Sequence, residues 1–586
     1  MDSIYVISRD ECKYPDKETL FRPSVNYPEY LFEGEISDQG NTVYDMIREG
    51  FIMSGMDEDN FGKQSWNPLG GFIRQGDKVL IKPNLVLHEN SSGGGTDCLY
   101  TNPALVAAMI DYVCIALKGG GKIVIGDAPL QECEFETLIR QSGYDVMVDF
   151  YKKRGIDIEL VDFRNIKTYS KDGLHYLQEK EGNEGVVVKL DDKSAFADIS
   201  PERMRNLRVT NYDPRILQQH HHDKTHEYNV SKYVLEADVI INMPKPKTHR
   251  KAGVTISLKN LVGINANKEF LPHHTNGSKD EGGDAYLHSN TFLKMANEVL
   301  DVKNKLNHEG EFTLAKKAEE LYYALLSQGT KQSKEKFWEG SWYGNDTIWR
   351  TIMDLNRILL YADSNGKITD KKQRELFIVG DMVVSGQKEG PLEPTPIYPG
   401  IIVMGDDPLK FDRTVCSLMG FDYRNIPSLC NDELFDINYP ISDGGEIKVL
   451  SNNEDWNQKN LDEIRERYSF CFQPSLGWMS KLGNKYRDNL YSKLIEEAKS
   501  VYIFGAGING LYAAEELQKN GIPVAAFCDN NTELWGTEIV DGIRCIELCD
   551  INKDIPFVIA VKEKNVYTIT KQLEENGCKV FGVINS

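Results

Sequence analysis

Six basic or polar residues lie within seven positions directly after a predicted strand. The apolar run 239–241 ends at Met243-Pro244, and the chain continues with Lys245, Lys247, Thr248, His249, Arg250 and Lys251. Positive charges crowded at the end of a buried strand are costly unless an anion meets them, and lysine is rarely buried without a partner. The segment therefore predicts an anion-binding site with Lys245, Lys247 and His249 as candidate catalytic residues. His249 is either a general acid or base near neutral pH or a structural hydrogen-bonding group.

Two further lysine–asparagine pairs follow apolar, β-branched segments. Lys82 and Asn84 come after the predicted strand 79–81, and Lys259 and Asn260 close the segment TISLKN. Ligands of parallel sheets bind beyond the carboxyl ends of the strands. If these strands share one sheet, the four side chains are candidate substrate-binding groups for a small phosphorylated or carboxylated molecule.

Three aspartates also follow predicted strands: Asp127, Asp381 and Asp406. Carboxylates in an anion site would repel the anion unless a cation lies between them. Mg²⁺ or another hard divalent ion would solve this, and direct Lys–Asp ion pairing without a metal is the alternative. His222 and His226 stand at the i,i+4 spacing of a metal-binding helix, but no third ligand is evident, so a solvated polar loop is favoured.

Short β-branched runs alternate with helical stretches, which is typical of the α/β class with a mainly parallel sheet. The predicted strands are 79–82, 123–126, 158–161, 239–242, 377–380 and 401–404, and helices are predicted at 103–117 and 134–141. The pattern predicts a large α/β domain over 1–430 with a helical insertion at about 286–360. Residues 431–490 are expected to form an irregular linker.

The last module, 491–586, carries a dinucleotide-binding fingerprint between two predicted strands. Gly505, Gly507 and Gly510 follow the strand VYIF, and Asp529 ends the next one. In this context the glycines allow a tight turn, phosphate approach and close helix packing, while the acid accepts a ribose hydroxyl. We expect a small Rossmann-like domain that binds NAD, a nucleotide or a nucleotide-sugar. The alternative is a fold used for packing or sensing only.

Composition excludes several classes of partner and cofactor. The net charge of −21 argues against nucleic acid and anionic membrane surfaces, because the long-range field repels phosphate polymers. No run of eighteen apolar residues exists, so no membrane span is expected. The acidic N-terminus lacks a signal-peptide pattern, which favours the cytoplasm. The eleven cysteines include no CxxC pair, so no iron–sulfur cluster is expected. The oligomeric state is not indicated.

Five ordered motifs resemble the domain-of-unknown-function family three-six-two: KVLIKPNLV, IGDAP, INMPKPKTH, TISLKNLVG and GDDPLKFDRTVCSLMGFD. The resemblance covers roughly Tyr27 to Leu429 and implies a site without an assigned reaction. Some family members resemble fusions to ferredoxin modules, a feature that this chain lacks. The last module is similar to the small nucleotide-binding domains that precede acyltransferase repeats in bacterial sugar-modifying enzymes. That resemblance implies a link to glycan or nucleotide-sugar metabolism.

These observations lead to one main hypothesis and two alternatives. The main hypothesis is a cytoplasmic enzyme that acts on a small anionic substrate by metal-assisted group transfer or ligation. The alternatives are an NAD-dependent oxidoreductase or isomerase and a non-catalytic ligand-binding protein.

Overall fold

A computed structural model describes residues 3–171, 174–179, 184–333, 337–436 and 438–584. Its centre is a sheet of eight strands that includes all six predicted strands. In chain order these are β1 (Ser3–Ser8), β2 (Lys78–Pro83), β3 (Lys122–Asp127), β4 (Ile158–Asp162), β5 (Val239–Met243), β6 (Glu375–Met382), β7 (Ile401–Gly405) and β8 (Lys448–Ser451). The predicted α/β class with a large, mainly parallel sheet is confirmed.

Strand direction in this sheet determines which residues share an edge. The strand order is β8-β1-β7-β6-β5-β2-β3-β4. The five strands from β6 to β4 are parallel, β7 is antiparallel to both of its neighbours, and β8 is parallel to β1. Seven of the eight strands therefore end at one edge of the sheet, and β7 alone ends at the opposite edge.

Helices cover both faces of the sheet because successive side chains of its central strands point to opposite faces. In β5, for example, Val239 and Ile241 belong to the core on one face and Ile240 to the core on the other. The longer helices of this domain are α1 (Thr42–Met53), α2 (Pro103–Leu117), α3 (Phe135–Ser142), α4 (Tyr144–Lys152), α5 (Thr291–His308), α6 (Phe312–Ser333), α7 (Ile348–Tyr361), α8 (Pro408–Met419) and α9 (Leu461–Arg467). None of the helices in the described parts of the chain combines the length and the apolar character that a bilayer crossing requires.

The predicted helical insertion consists of two different parts. Helices α5 and α6 pack against each other as an antiparallel hairpin with mostly exposed outer faces. By contrast, every residue of α7 is buried, and its apolar side chains belong to the core of the large domain. The insertion is therefore the α5–α6 hairpin, and α7 is a core helix.

Shorter elements complete the domain. The remaining strands are Ile166–Lys171, Leu174–Glu179, Gly185–Lys189, Leu207–Arg208, His221–His222, Thr225–Ser231, Lys247–His249, Gly253–Thr255, His274–Thr275, Ser385–Glu389 and Glu393–Ile397. The short helices are Pro201–Arg205, Pro214–His220, Lys232–Leu235, Ser257–Asn260, Pro427–Cys430 and Met479–Leu482. The strand Lys247–His249, within the basic segment 245–251, pairs with Gly253–Thr255 and Ser385–Glu389. It is therefore part of a four-stranded sheet.

The segment 431–490, expected to be an irregular linker, differs from that expectation. It contributes β8 to the large sheet, and α9 packs against α8. Trp478 is buried, and its indole N–H donates to the carbonyl of Arg250 at 3.0 Å. Its many Asn, Asp, Ser and Gly residues favour turns, but its aromatic side chains anchor it to the large domain.

The C-terminal residues form a second sheet of six strands. These are β9 (Val501–Phe504), β10 (Val524–Cys528), β11 (Glu538–Val540), β12 (Ile543–Ile546), β13 (Phe557–Ile559) and β14 (Val580–Val583), accompanied by α10 (Asn484–Glu497), α11 (Ile508–Lys519) and α12 (Glu563–Glu575). The order is β11-β12-β10-β9-β13-β14, and every pairing except β11 with β12 is parallel. The five parallel strands follow the order 3-2-1-4-5 of a doubly wound sheet.

Candidate anion-binding site

The carboxyl ends of β2, β3, β5 and β6 lie side by side at one edge of the large sheet. They carry Lys82, Asp127 and Asp381 within the strands, and Lys245 follows β5 by two residues. The polar ends of these four strands are therefore brought together, as the sequence predicts.

Lys82 and Asp127 form a buried ion pair. The Lys82 Nζ lies 2.7 Å from Asp127 Oδ1 and also donates to the Pro83 carbonyl, and the Lys82 side chain is fully buried. The carboxylate accepts the backbone N–H groups of Leu85 and Ala128. A Cβ on Gly263 would stand 1.9 Å from Asp127 Oδ1, so only a glycine allows the backbone at position 263 to pack against this ion pair.

Lys245 and Asp381 form a second buried pair on the other side of β5. The Lys245 Nζ lies 2.8 Å from Asp381 Oδ2 and donates to the Tyr14 hydroxyl, which donates to Asp381 Oδ1. The backbone N–H of Asn102 also donates to Asp381 at 2.9 Å. These bonds leave the Lys245 ammonium engaged in the protein interior.

An amide network connects the remaining predicted residues. Lys247 donates to the Asn84 side chain and to the Leu99 carbonyl, and it has no carboxylate partner among the described residues. Asn260 Oδ1 accepts from Lys82 at 3.0 Å and from Asn84 at 2.9 Å, while its amide donates to Asn242. Burial lowers the pKa of Lys247 well below its usual range. The network fixes the strand ends relative to one another.

The three aspartates predicted as metal ligands do not converge. Asp127 and Asp381 belong to separate ion pairs and accept several protein donors each. Asp406 follows β7, whose direction places it at the opposite edge of the sheet, where it lines a different cavity of about 280 Å³. The prediction that Asp406 joins the shared crevice is therefore wrong, because it assumed that β7 is parallel to the other strands.

A cavity of about 420 Å³ lies next to this network. Five of the predicted residues line it: Asn84, Asp127, His249, Lys259 and Asn260. Lys82, Lys245 and Lys247 are fully buried and do not belong to its lining. The other walls come from the segments 128–132, 209–213 and 268–273 and from the α5–α6 hairpin.

The lining carries an excess of unpaired positive charge. Of its five lysine and arginine side chains, four have no ion pair with any residue that the structure describes: Arg250, Lys251, Lys259 and Lys268. Lys303 lies 3.9 Å from Glu319. Four of the five lining carboxylates, those of Asp127, Asp213, Glu269 and Glu319, already have a lysine, arginine or histidine partner. The fifth, Glu132, is exposed. The cavity therefore has the charge of an anion-binding site.

Three of the unpaired lysines have unusual acid–base properties. Burial, reinforced by Lys268 and Lys82, lowers the pKa of Lys259 to about 7. Burial likewise lowers the pKa of Lys251 to about 8 and that of Lys268 to about 8. Lys268 donates to the Ala128 carbonyl at 2.8 Å, and Lys251 donates to Thr210 at 3.3 Å. The half-buried Lys259 has no hydrogen-bond partner for its amine among the described residues, so the amine is available to a ligand.

Two neutral histidines line the same cavity with opposite tautomers. His249 Nδ1 accepts the backbone N–H groups of Lys251 and Ala252, both at 3.1 Å, so its proton is on Nε2. His273 donates from Nδ1 to the Leu271 carbonyl at 2.7 Å, which leaves Nε2 as an acceptor. Burial and the neighbouring cations hold the pKa of both well below its usual range. His249 is thus arranged as a hydrogen-bond donor, and its role as a general acid or base stays a prediction.

Three side-chain oxygens of the lining lack a hydrogen-bond partner among the described residues. They are Asn304 Oδ1, Thr255 Oγ1 and Gln131 Oε1, on side chains that are 4%, 4% and 3% exposed. A buried oxygen without a donor costs about 1–3 kcal/mol, so such atoms in a cavity wall favour a polar ligand or water. They add acceptors to a site otherwise dominated by donors.

The sequence profile of the family described as domain of unknown function (DUF362) matches residues 79–181 and 192–417, more than half of the chain. The chain belongs to this family. The match includes all the cavity-lining residues named above and confirms the family resemblance over these residues. It ends before the C-terminal module begins.

The chain is also similar to a curated protein. A thylakoid-associated protein of Synechocystis sp. is 25% identical to this chain over 246 residues. The alignment covers 42% of this chain and 57% of that protein, so the chain spans less than two thirds of the relative.

Outside the DUF362 match, the glycine turn of the C-terminal module has the geometry that its spacing predicts. Gly505 has φ +112°, and a Cβ on Gly510 would stand 1.9 Å from the Gly505 carbonyl. A Cβ on Gly507, which precedes α11, would meet nothing within 4 Å. Asp529 accepts the Ala506 backbone N–H at 2.9 Å. The acid therefore holds the turn itself, with its other oxygen bonded to the Asn531 backbone N–H.

Proposed function

We propose that the cavity beside the strand ends binds a small phosphorylated or carboxylated molecule and that the protein is a cytoplasmic enzyme acting on it. Arg250, Lys251 and Lys268 hold the anionic group, and the amide groups of Asn84 and Asn260 contact the rest of the molecule. The observation that carries this proposal is the set of four lysine and arginine side chains in one cavity that have no ion pair among the described residues, in a chain with a net charge of −21.

The electrostatics of the cavity lining favour this proposal. Unpaired buried ammonium groups lose hydration without gaining a counter-ion, which is why burial lowers the pKa of Lys251 and Lys268. A dianionic phosphate or a carboxylate restores the missing partner and forms charge-assisted hydrogen bonds. The volume of about 420 Å³ is within the range of small-molecule sites.

The reaction type is a separate part of the proposal. Group transfer or ligation with a divalent metal stays a prediction, and the two buried Lys–Asp pairs favour direct ion pairing at Asp127 and Asp381. A metal that acts with this substrate would therefore have to use other ligands, such as the substrate phosphate itself. NAD-dependent oxidoreduction or isomerisation, and ligand binding without catalysis, are the alternatives.

Anion affinity is expected to increase as the pH falls from 9 to 6. Lys251 and Lys268 have pKa values near 8, so they are mostly neutral at pH 9 and charged at pH 6, and anion binding draws protons onto them. Calorimetric titration of inorganic phosphate or pyruvate in two buffers of different ionisation enthalpy should show proton uptake near pH 8. The double variant Lys251→Met/Lys268→Met should weaken binding at pH 7 by about tenfold or more.

The matched control removes two positive charges elsewhere. Lys305→Met/Lys317→Met changes exposed lysines of α5 and α6, so the net charge falls equally while the cavity is untouched. Equal loss of affinity in both double variants would mean that only the overall charge matters. Absence of anion binding to the unmodified protein would refute the proposal.

We infer a second binding function for the C-terminal module, namely a nucleotide, nucleotide-sugar or NAD at the glycine turn. The observation that favours it is the open approach to Gly507 at the N-terminus of α11, next to the tight turn at Gly505. Backbone N–H groups at such a turn suit a diphosphate. The similarity to modules of sugar-modifying acyltransferases supports a nucleotide-sugar as the ligand.

Thermal unfolding in the presence of NAD or UDP-glucose tests this second function. At a concentration one hundred times its Kd, the correct ligand should stabilise the module by about 2.7 kcal/mol and raise its Tm. Gly507→Val should abolish the shift by occupying the phosphate position. Gly71→Val is the control, because an added side chain there also meets nothing within 4 Å. A shift that survives Gly507→Val, or no shift with either ligand, would contradict the inference.

A further inference from the structure

We propose that Lys259 is a nucleophilic amine that forms an imine with the carbonyl group of an anionic substrate. The substrate class is a small 2-oxo acid or a phosphorylated aldehyde or ketone. This inference rests on the proposed anion site, because the neighbouring cations hold the anionic group while the amine reacts with the carbonyl carbon.

The position of Lys259 distinguishes it from the other lysines at the strand ends. Lys82 and Lys245 are neutralised by aspartates, and Lys268 donates to a backbone carbonyl. The Lys259 amine has no hydrogen bond or ion pair to the residues that the structure describes, and it lines the cavity. An amine used only to stabilise the fold would be expected to have an acceptor.

The charges around Lys259 favour its neutral, reactive form. Burial is the main cause of the lowered pKa of Lys259, and the positive charges of Lys268, Lys82 and Lys251 lower it further. A neutral amine has the lone pair that attack on a carbonyl requires, and neighbouring cations are a known means of producing one. The same cations attract the anionic substrate, so one cluster serves both purposes.

His249 provides the second requirement, a donor for the carbonyl oxygen. Two backbone N–H groups fix its Nδ1 as an acceptor, so Nε2 carries a proton and has no acceptor among the described residues. A neutral imidazole that donates to the carbonyl oxygen stabilises negative charge as it develops there. Because the backbone fixes the tautomer, this donor is in place before the substrate binds.

The step balances without any oxidant or reductant. The Lys259 nitrogen lone pair forms a C–N bond as the carbonyl π electrons move to oxygen, and a proton passes from nitrogen to that oxygen. The resulting carbinolamine loses the C–O bond as a second nitrogen proton joins the hydroxyl group. The products are the imine and one water molecule.

Reductive trapping tests the inference on the full-length protein. Pyruvate and dihydroxyacetone phosphate are incubated separately with the protein and sodium cyanoborohydride, and peptide mapping by mass spectrometry locates the reduced adduct. We expect one adduct, at Lys259, with at least one of these probes. Lactate and glycerol phosphate, which lack the carbonyl, should give none. Lys259→Met should lose the adduct, and Lys305→Met should keep it.

Binding measured by calorimetry separates the two possible failures. If the carbonyl probes bind at the cavity but leave Lys259 unmodified, imine formation is refuted and anion binding stands. If neither probe nor its carbonyl-free analogue binds, the proposed anion site fails, and this inference fails with it. Labelling spread over surface lysines, unchanged in Lys259→Met, would also overturn it. Because the adduct is mapped in the unmodified protein, the test does not depend on the folding of the variant.

Discussion

Asp127→Asn should lower the free energy of unfolding of the large domain by about 3–5 kcal/mol, the usual result of removing one partner from a buried ion pair. The substitution keeps the shape of the side chain but leaves the Lys82 ammonium without a counter-ion in a fully buried position. Lys82 then has only the Pro83 and Asn260 oxygens and the new amide oxygen as acceptors. Urea unfolding followed by tryptophan fluorescence measures the change.

Lys82→Met is expected to cost less than Asp127→Asn. The Asp127 carboxylate keeps its two backbone donors, at Leu85 and Ala128, after the ammonium is removed. The double variant Lys82→Met/Asp127→Asn should be more stable than the sum of the single changes implies, by about 1–3 kcal/mol. Strict additivity would mean that the pair contributes no coupling energy.

The exposed pair Lys122–Glu159 provides the matched control. Its atoms are 2.6 Å apart, and it also joins β3 to β4, but both side chains are more than one third exposed. Lys122→Ala should therefore change stability by no more than about 1 kcal/mol. A similar loss in Lys122→Ala and Asp127→Asn would show that burial is not the cause.

The strands of the large sheet could be predicted from the sequence because each is a short apolar run with a polar end. The run ending at Lys82 and the run ending at Asp127 are fully buried strands with few alternatives. The direction of β7 could not be predicted in this way. A short apolar run has the same sequence pattern in a parallel and in an antiparallel buried strand. The chain enters β7 from the hairpin 385–397, and the pairing of this hairpin could not be predicted from its sequence.

The residues of the cavity were predicted only in part for a related reason. Lysines at strand ends were identified correctly as buried, but sequence gives no indication of which ones have an aspartate partner. Lys268 and His273 were missed because no predicted strand ends at either of them. Lys268 lies within the segment NANKEF, His273 follows it, and both reach the cavity through tertiary packing. Their proximity in sequence to Lys259 was the one signal that could have suggested them.

The pair His221 and His226 should make the large domain sensitive to acid. His221 donates from Nε2 to the Phe270 carbonyl at 3.0 Å, so its Nδ1 accepts from His226 Nδ1, 3.3 Å away. The sequence favours a solvated polar loop here over a metal-binding helix. The chain forms a tight antiparallel turn, and this turn brings His221 and His226 together. Both side chains are buried, so a second proton on either ring would place an unpaired charge in the interior. On His221 it would also remove the nitrogen that accepts the hydrogen bond from His226.

The sign of the effect follows from the pKa values. Burial lowers the pKa of His221 to about 3 and that of His226 to about 4, while an unfolded histidine titrates near pH 6.5. The pair therefore contributes its full stability above pH 6.5 and loses it as the pH falls towards 4. Within that window each histidine changes the free energy of unfolding by about 1.4 kcal/mol per pH unit.

The expected result is a difference in slope between the unmodified protein and the variant His221→Met/His226→Met. Buried aspartates oppose the histidines, because burial raises the pKa of Asp111 to about 7 and that of Asp412 to about 7. Their contribution is common to both proteins and cancels in the comparison. The free energy of unfolding, measured with urea from pH 7.5 to 4.5, should fall less steeply with falling pH in the double variant. The difference in slope should correspond to up to two protons taken up on unfolding.

His222→Gln is the control for this comparison, because its side chain is half exposed and adjoins the pair in sequence. Its slope should stay steeper than that of the double variant. If the double variant also keeps the original slope, then His221 and His226 bind protons equally in the folded and unfolded states. The pair would then take up protons in the folded protein as readily as in the unfolded chain, which is incompatible with a single proton on each ring below pH 6.5. The loss of slope thus reports directly on the neutral state of the pair.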